Sequence, residues 1–148
     1  MVKPGNKGRS RVLVGILFLA PLVLCSCASV VKDTALAKDA VGQFHSQLDA
    51  GQYTALYAAA DPKLHEATTE AEFTRLLEAI HDKLGTVRQA ELRTWNTGWY
   101  LGTGTTVTLV YNTTFSGGSG TEQFTWHVSS DRATLYGYHI NSIDLIAK

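Results

Sequence analysis

Five histidines, His45, His65, His81, His127 and His139, are the side chains best suited to move protons near neutral pH or to ligate a metal. No two of them stand four residues apart, and the only cysteines are Cys25 and Cys27, so the spacing of a zinc site is missing. His45 and His81 fall at the edges of apolar helical stripes, which suits half-buried packing better than ligation. Tyr57, Asp61, His65, Tyr100, His139 and Asp144 are raw material for general acid-base chemistry, yet no spacing ties them together. If the last hairpin closes around Ser129 to Arg132, His127 faces Thr134 or Leu135, and His139 faces Glu122 or Gln123. A Glu122 and His139 pair therefore stays open, as a surface ion pair or as half of a proton-transfer site. No catalytic, cofactor-binding or metal-ligating residue is assigned.

Aromatic residues gather in the second half of the chain: Trp95, Trp99, Tyr100, Tyr111, Phe115, Phe124, Trp126, Tyr136 and Tyr138. Most must be core. Trp99 and Tyr100 stand beside Gly98, Gly102 and Gly104, which places them on a loop or strand edge, where an exposed pair suits a protein partner. Tyr57, Asp61, Trp99, Tyr100 and His139 are accordingly the candidate pocket or partner contacts.

The elements that must position them change character at Gly85. Before it, Ala37, Val41, Phe44 and Leu48 predict a first helix closed by Gly51, and Tyr53 to Ala60 predict a short second one stopped by Asp61-Pro62. Thr69 to Glu72 read as a capping box, followed by the stripe Phe73, Leu76, Leu77, Ile80 and Leu84. After Gly85 the period becomes two. A first strand falls between Thr86 and Trp95, and Thr105 to Phe115 turn Val107, Leu109, Tyr111 and Phe115 to one face. Ser116 to Gly120 form a hairpin loop, and Glu122 to Val128 return with Phe124, Trp126 and Val128 inward. A last strand from Thr134 to Leu145 holds Tyr136, Tyr138 and Ile140 in phase, with a bulge after Asn141-Ser142. Helices first and strands second imply an α+β domain, with N-terminal helices packed on a curved antiparallel sheet of about four strands.

The opening carries a different kind of signal. Met1 to Arg11 are polar and basic, and Val12 to Leu24 are apolar without a charge, the layout of a secretory signal. A spanning helix needs roughly 20 apolar residues, so a permanent transmembrane anchor is the weaker reading of this short, Pro21-containing run. Leu24-Cys25-Ser26-Cys27 then resembles the bacterial lipobox, with Leu at −3, a small residue at −1 and Cys at +1. The resemblance implies that residues 1–26 are removed, that Cys27 is the lipid attachment site, and that the new amino terminus is acylated too. The competing reading is an ordinary signal-peptidase site beside Cys27. On the lipobox reading the mature domain keeps neither a free thiol nor a disulfide. Ala28 after the cysteine resembles the outer-membrane signal of diderm bacteria, which would face the domain to the periplasm. The chain then divides into a signal (1–26), a short tether (27–32) and one domain (33–148).

The 13 basic and 13 acidic residues balance only while Lys3, Lys7, Arg9 and Arg11 are counted. Without these four the body is net acidic, which argues against a nucleic-acid partner and against docking on anionic headgroups through a basic face. Asp49 to Tyr53, Leu56-Tyr57, Thr69 to Phe73 and Leu84-Gly85 look like segments of small bacterial envelope proteins with the nuclear-transport-factor-two-like cone fold. That resemblance implies a cone-like domain from Asp33 onward and no particular activity, since fold alone does not carry function. The expectation is an envelope lipoprotein whose domain binds an envelope protein or small ligand, without cofactor, metal or catalysis. Two competitors are a cone-fold isomerase or dehydratase using an Asp, His or Tyr pair, and an inhibitor or immunity protein acting through a loop at Trp99 to Thr105.

Overall fold

Thr34, Ala37, Val41, Phe44, His45 and Leu48 recur every three or four residues or side by side, so a helix through them turns one continuous face inward. The computed structural model, which describes residues 24–100 and 104–147, shows this helix as α1 (Leu24–Asp49) with all six side chains buried. Residues 27–32, expected as a tether, are helical and continue α1. The helix ends at Gly51, whose φ of 69° lets its N–H reach the Leu48 carbonyl at 3.0 Å and the Gln52 N–H reach the Gln47 carbonyl at 2.9 Å. Those two bonds satisfy carbonyls that the last turn leaves open.

After α2 (Tyr53–Ala58), Asp61-Pro62 does more than stop a helix: it starts α3 (Pro62–Ala67), which the sequence reading passed over. Proline at the first helical position gives up an N–H that has no partner there anyway. The Asp61 side chain caps the same turn by accepting from the Lys63 N–H at 2.9 Å. Helix α4 (Glu70–Leu84) has the expected capping box, with Glu72 N–H donating to Thr69 Oγ1 at 3.3 Å and Thr69 N–H to Glu72 Oε2 at 3.0 Å. Phe73, Leu77, Ile80 and Leu84 are buried, whereas Leu76 lies at the stripe's margin and is exposed.

Four antiparallel strands follow in sequence order: β1 (Val87–Tyr100), β2 (Gly104–Phe115), β3 (Ser119–Ser129) and β4 (Arg132–Asn141). The class is therefore α+β, helices before a four-stranded antiparallel sheet. Val107 opposes Trp126 and Leu109 opposes Phe124, and these buried pairs share one face with Phe115, Val128 and Leu135. Helix α1 packs across all four strands on that side. The opposite face is rich in threonine; Thr108 and Thr125 hydrogen-bond across it at 3.3 Å. Ser130 and Asp131, at φ 48° and 64°, make the two-residue turn from β3 to β4 with the twist such hairpins prefer.

The end of the chain departs from expectation. β4 stops at Asn141, and Ile143–Ala147 form the short helix α5, so no strand continues to Leu145. Ser142 accepts from the Leu145 N–H at 3.3 Å, and a capping serine thus opens a helix whose apolar residues also mimic alternation. The bulge expected after Asn141-Ser142 is therefore absent, and the irregularity of β4 lies at a different place. Gly137 opposes Thr125 and Leu135 opposes Trp126, leaving Tyr136 as the extra residue. Leu135 and Tyr138 consequently turn inward, while Tyr136 is exposed and out of phase.

Leu77→Ala, at a position with no exposure, is expected to lower unfolding free energy by about 2–5 kcal/mol, and Thr69→Ala by about 1 kcal/mol. Urea unfolding of the two variants against the parent checks both.

Candidate functional site

Glu122 lies on the same side of β3 as Phe124 and Trp126, and it is completely buried. A carboxylate taken out of water among aromatic rings is stable only if its oxygens are matched by donors. Three converge on it. His45 Nε2 of α1 meets Oε2 at 2.8 Å, Thr113 Oγ1 of β2 donates to the same oxygen, and the Tyr138 hydroxyl of β4 donates to Oε1 at 2.7 Å. Burial pushes the Tyr138 phenol well above its ordinary value, and the Glu122 charge and hydrogen bond push it further the same way. Tyr138 therefore stays a proton donor to the carboxylate throughout the physiological range.

A second carboxylate, Asp61, is held at the start of α3. Oδ2 is 2.8 Å from His127 Nδ1 and 3.3 Å from Thr134 Oγ1, while Oδ1 takes the Lys63 N–H. The Asp61 N–H donates to the Leu135 carbonyl at 2.9 Å, which fastens α3 to the edge of β4. Burial alone pushes the Asp61 carboxyl up; the Lys63 N–H, His127 and Thr134 outweigh it, leaving the group below the usual carboxylate value. Beside it, His65 Nε2 lies 2.7 Å from the Tyr57 carbonyl, the two rings are 4.4 Å apart, and the Tyr57 hydroxyl donates to the Thr68 carbonyl.

The residues singled out from the sequence thus separate. Tyr57, Asp61 and His65 come together at one corner with His127 and Thr134. His139 opposes Gln123 and is exposed, so it does not pair with the buried Glu122. Asp144 accepts from the Ser119 N–H at the far end of β3. Of the two expected placements, a loop or a strand edge, Trp99 and Tyr100 take the second: they belong to β1, the outer strand, opposite Thr105 and Gly104, and residues 101–103 lie outside the described residues. Cys27 stands in the second turn of α1. His45, read as a packing residue, is a direct partner of Glu122. The sequence did hold a signal for Glu122: it extends the inward alternation of Phe124, Trp126 and Val128 by one step.

A cleft of about 340 Å³ opens between α1, α2 and the β3–β4 hairpin. Leu36, Phe44, Leu56, Trp126 and Leu135 line its apolar part, and Asp39, Gln43, Gln47 and Arg132 supply polar groups. The Trp126 indole N–H is buried and has no acceptor among the described residues. Neither Glu122 nor Asp61 lines the cleft. Among the described residues no cluster of three or more His, Cys, Asp or Glu could hold a metal, and no helix is long and apolar enough to cross a membrane.

Glu122→Ala is expected to destabilise the fold by about 3–5 kcal/mol, because the buried His45 and Thr113 and the half-buried Tyr138 lose their acceptor. His139→Ala should stay within about 0.5 kcal/mol of the parent, a contrast that chemical unfolding resolves. For Asp61 the sign follows from its lowered value: the folded chain binds that proton less readily than the unfolded chain. Its contribution is present above about pH 4 and is lost as pH falls through the folded-state value. Asp61→Asn should flatten that part of the acid limb in a stability-versus-pH series.

A model of the family described as "Protein of unknown function (DUF4019)" matches residues 40–138, from the middle of α1 into β4. No curated protein and no solved structure matches the chain. The matched span takes in His45, Asp61, Thr113, Glu122, His127, Thr134 and Tyr138 together, and by that match the chain belongs to the DUF4019 family.

Proposed function

We propose that the protein is an envelope lipoprotein, held at a membrane by acyl chains on Cys27, whose α+β domain binds a small ligand or an envelope protein rather than catalysing a reaction. The observation that carries the binding reading is the division of labour in the interior. Both buried carboxylates are engaged by donors from several elements, and neither lines the cleft that could receive a ligand. The cleft volume falls in the range of small-molecule sites, and its apolar floor with amide and charged groups suits an amphipathic molecule or a peptide segment. The anchor is supported by the lipobox-like Leu24 to Cys27 after an uncharged apolar run too short to span a bilayer. Two or three acyl chains, at about 0.8 kcal/mol per buried methylene, hold a body of this size at a bilayer surface.

A second reading, a cone-fold enzyme, is favoured by the Asp61 and His127 pair. A carboxylate 2.8 Å from a histidine whose side chain is 24% exposed is the arrangement that orients an imidazole for proton transfer.

Cys27→Ala should move the protein from the membrane to the soluble fraction; retention in the membrane contradicts the anchor. Ala59→Trp, placed on the exposed lining of the cleft, should leave membrane attachment unchanged and abolish capture of the bound molecule from envelope extracts. Capture unaffected by that substitution contradicts the cleft as binding site, and a turnover lost in Asp61→Asn establishes the enzymatic reading instead.

A further inference from the structure

We infer that the domain docks on the bilayer through one defined face, made by the first turns of α1 and Trp95 of β1, so that Cys27 anchors an oriented body rather than a tethered one. This rests on the lipoprotein reading above and adds to it a surface and a geometry. Trp95 is 50% exposed, the most exposed aromatic ring among the described residues with a stated exposure, and Val31 is 70% exposed. They meet: Trp95, Val30, Val31, Thr34, Ala35 and Lys38 line a single, mostly apolar depression. Trp95 opposes the buried Leu109 and so belongs to the helix-facing side of the sheet, at its outer strand.

The occupant is indicated by where Cys27 stands. Val30, Val31 and Thr34 follow it by three, four and seven residues in one continuous helix, the spacing that places residues on the same helical face. Along the axis, Cys27 and Val31 are about 6 Å apart. Acyl chains leaving the position of Cys27 therefore start within about one helical turn of the depression. An apolar face beside a lipid anchor, with a tryptophan at its margin and a lysine at its rim, has the composition of an interfacial membrane contact.

The helix is also fixed to the body it carries. Thr34 and Ala37 are buried against the domain, and Lys32 pairs with Asp131 of the β3–β4 turn at 2.5 Å. The part of α1 that meets the membrane is thereby continuous with the part that holds His45 against Glu122. No free segment separates anchor from fold.

The test uses the mature, full-length protein purified from membranes and carrying Trp95→Cys or Val31→Cys. Cys25 leaves with the signal and the Cys27 sulfur is acylated, so the new thiol is unique and takes an environment-sensitive fluorophore. The control is Arg88→Cys, exposed on the same strand and about 20 Å away. The proteins are reconstituted in phosphatidylethanolamine and phosphatidylglycerol vesicles with and without brominated acyl chains. Labels at 95 and 31 should shift to the blue and lose about half their emission to the brominated chains, while the label at 88 stays unquenched. Protein that sediments with the vesicles but is unquenched at 95 and 31 overturns the docked face and leaves the anchor standing. A label at 95 that is shielded from water yet untouched by the brominated chains marks a protein partner, and also overturns it. Protein that stays in the supernatant removes the anchor and the docked face together.

Discussion

A single buried carboxylate joins the two layers of this fold. Glu122 accepts from His45 of α1, Thr113 of β2 and Tyr138 of β4, so one fully desolvated group addresses the long helix and both strands beside its own. The apolar core around it, with Phe44, Phe124 and Leu109, supplies most of the driving force but is tolerant of position. The carboxylate is not tolerant: an unmatched charge there costs several kcal/mol, so helix and strands must arrive in the one register that satisfies it. Asp61 repeats the device at the periphery, where it caps α3, binds the edge of β4 through its N–H, and reaches His127 and Thr134.

That arrangement shapes what the molecule can do. The two buried carboxylates, Glu122 and Asp61, are engaged in joining elements, and neither lines the cleft between α1, α2 and the β3–β4 hairpin. Helix α1 runs past each of these features. Its first turns carry Cys27, its next residues meet Trp95, its middle lines the cleft through Leu36 and Phe44, and its inner face presents His45 to Glu122. The cleft lining and the contact with Glu122 are thus joined by one continuous helix.

The sequence disclosed what local periodicity and capping dictate. The Thr69 box and the stripe ending at Leu84 fixed α4, and the alternation of Val107, Leu109 and Tyr111 fixed β2 together with its inward face. The pairing of the last hairpin was legible to within one residue, since closure around Ser129 to Arg132 put His139 opposite Glu122 or Gln123, and the observed partner is Gln123. What escaped was set by signals with two meanings. Pro62 ends one helix and begins the next, and Ile143 with Leu145 fits a strand as well as the short helix that Ser142 caps. The bulge at Tyr136 depends on which of two neighbouring apolar residues the core accepts, which strand periodicity does not reveal. The Glu122 network was hidden for another reason: its partners lie up to 77 residues from it in the chain, and only the register of three strands under one helix brings them together.

Whether a sulfur at the head of α1 holds this domain to a membrane, as proposed, is read from the intact mass of protein purified from the membranes of its host. The expected mass is that of a chain beginning at residue 27 with two or three fatty acyl groups added. A mass that still includes residues 1–26, or a chain beginning at residue 27 with an unmodified thiol, contradicts the anchor.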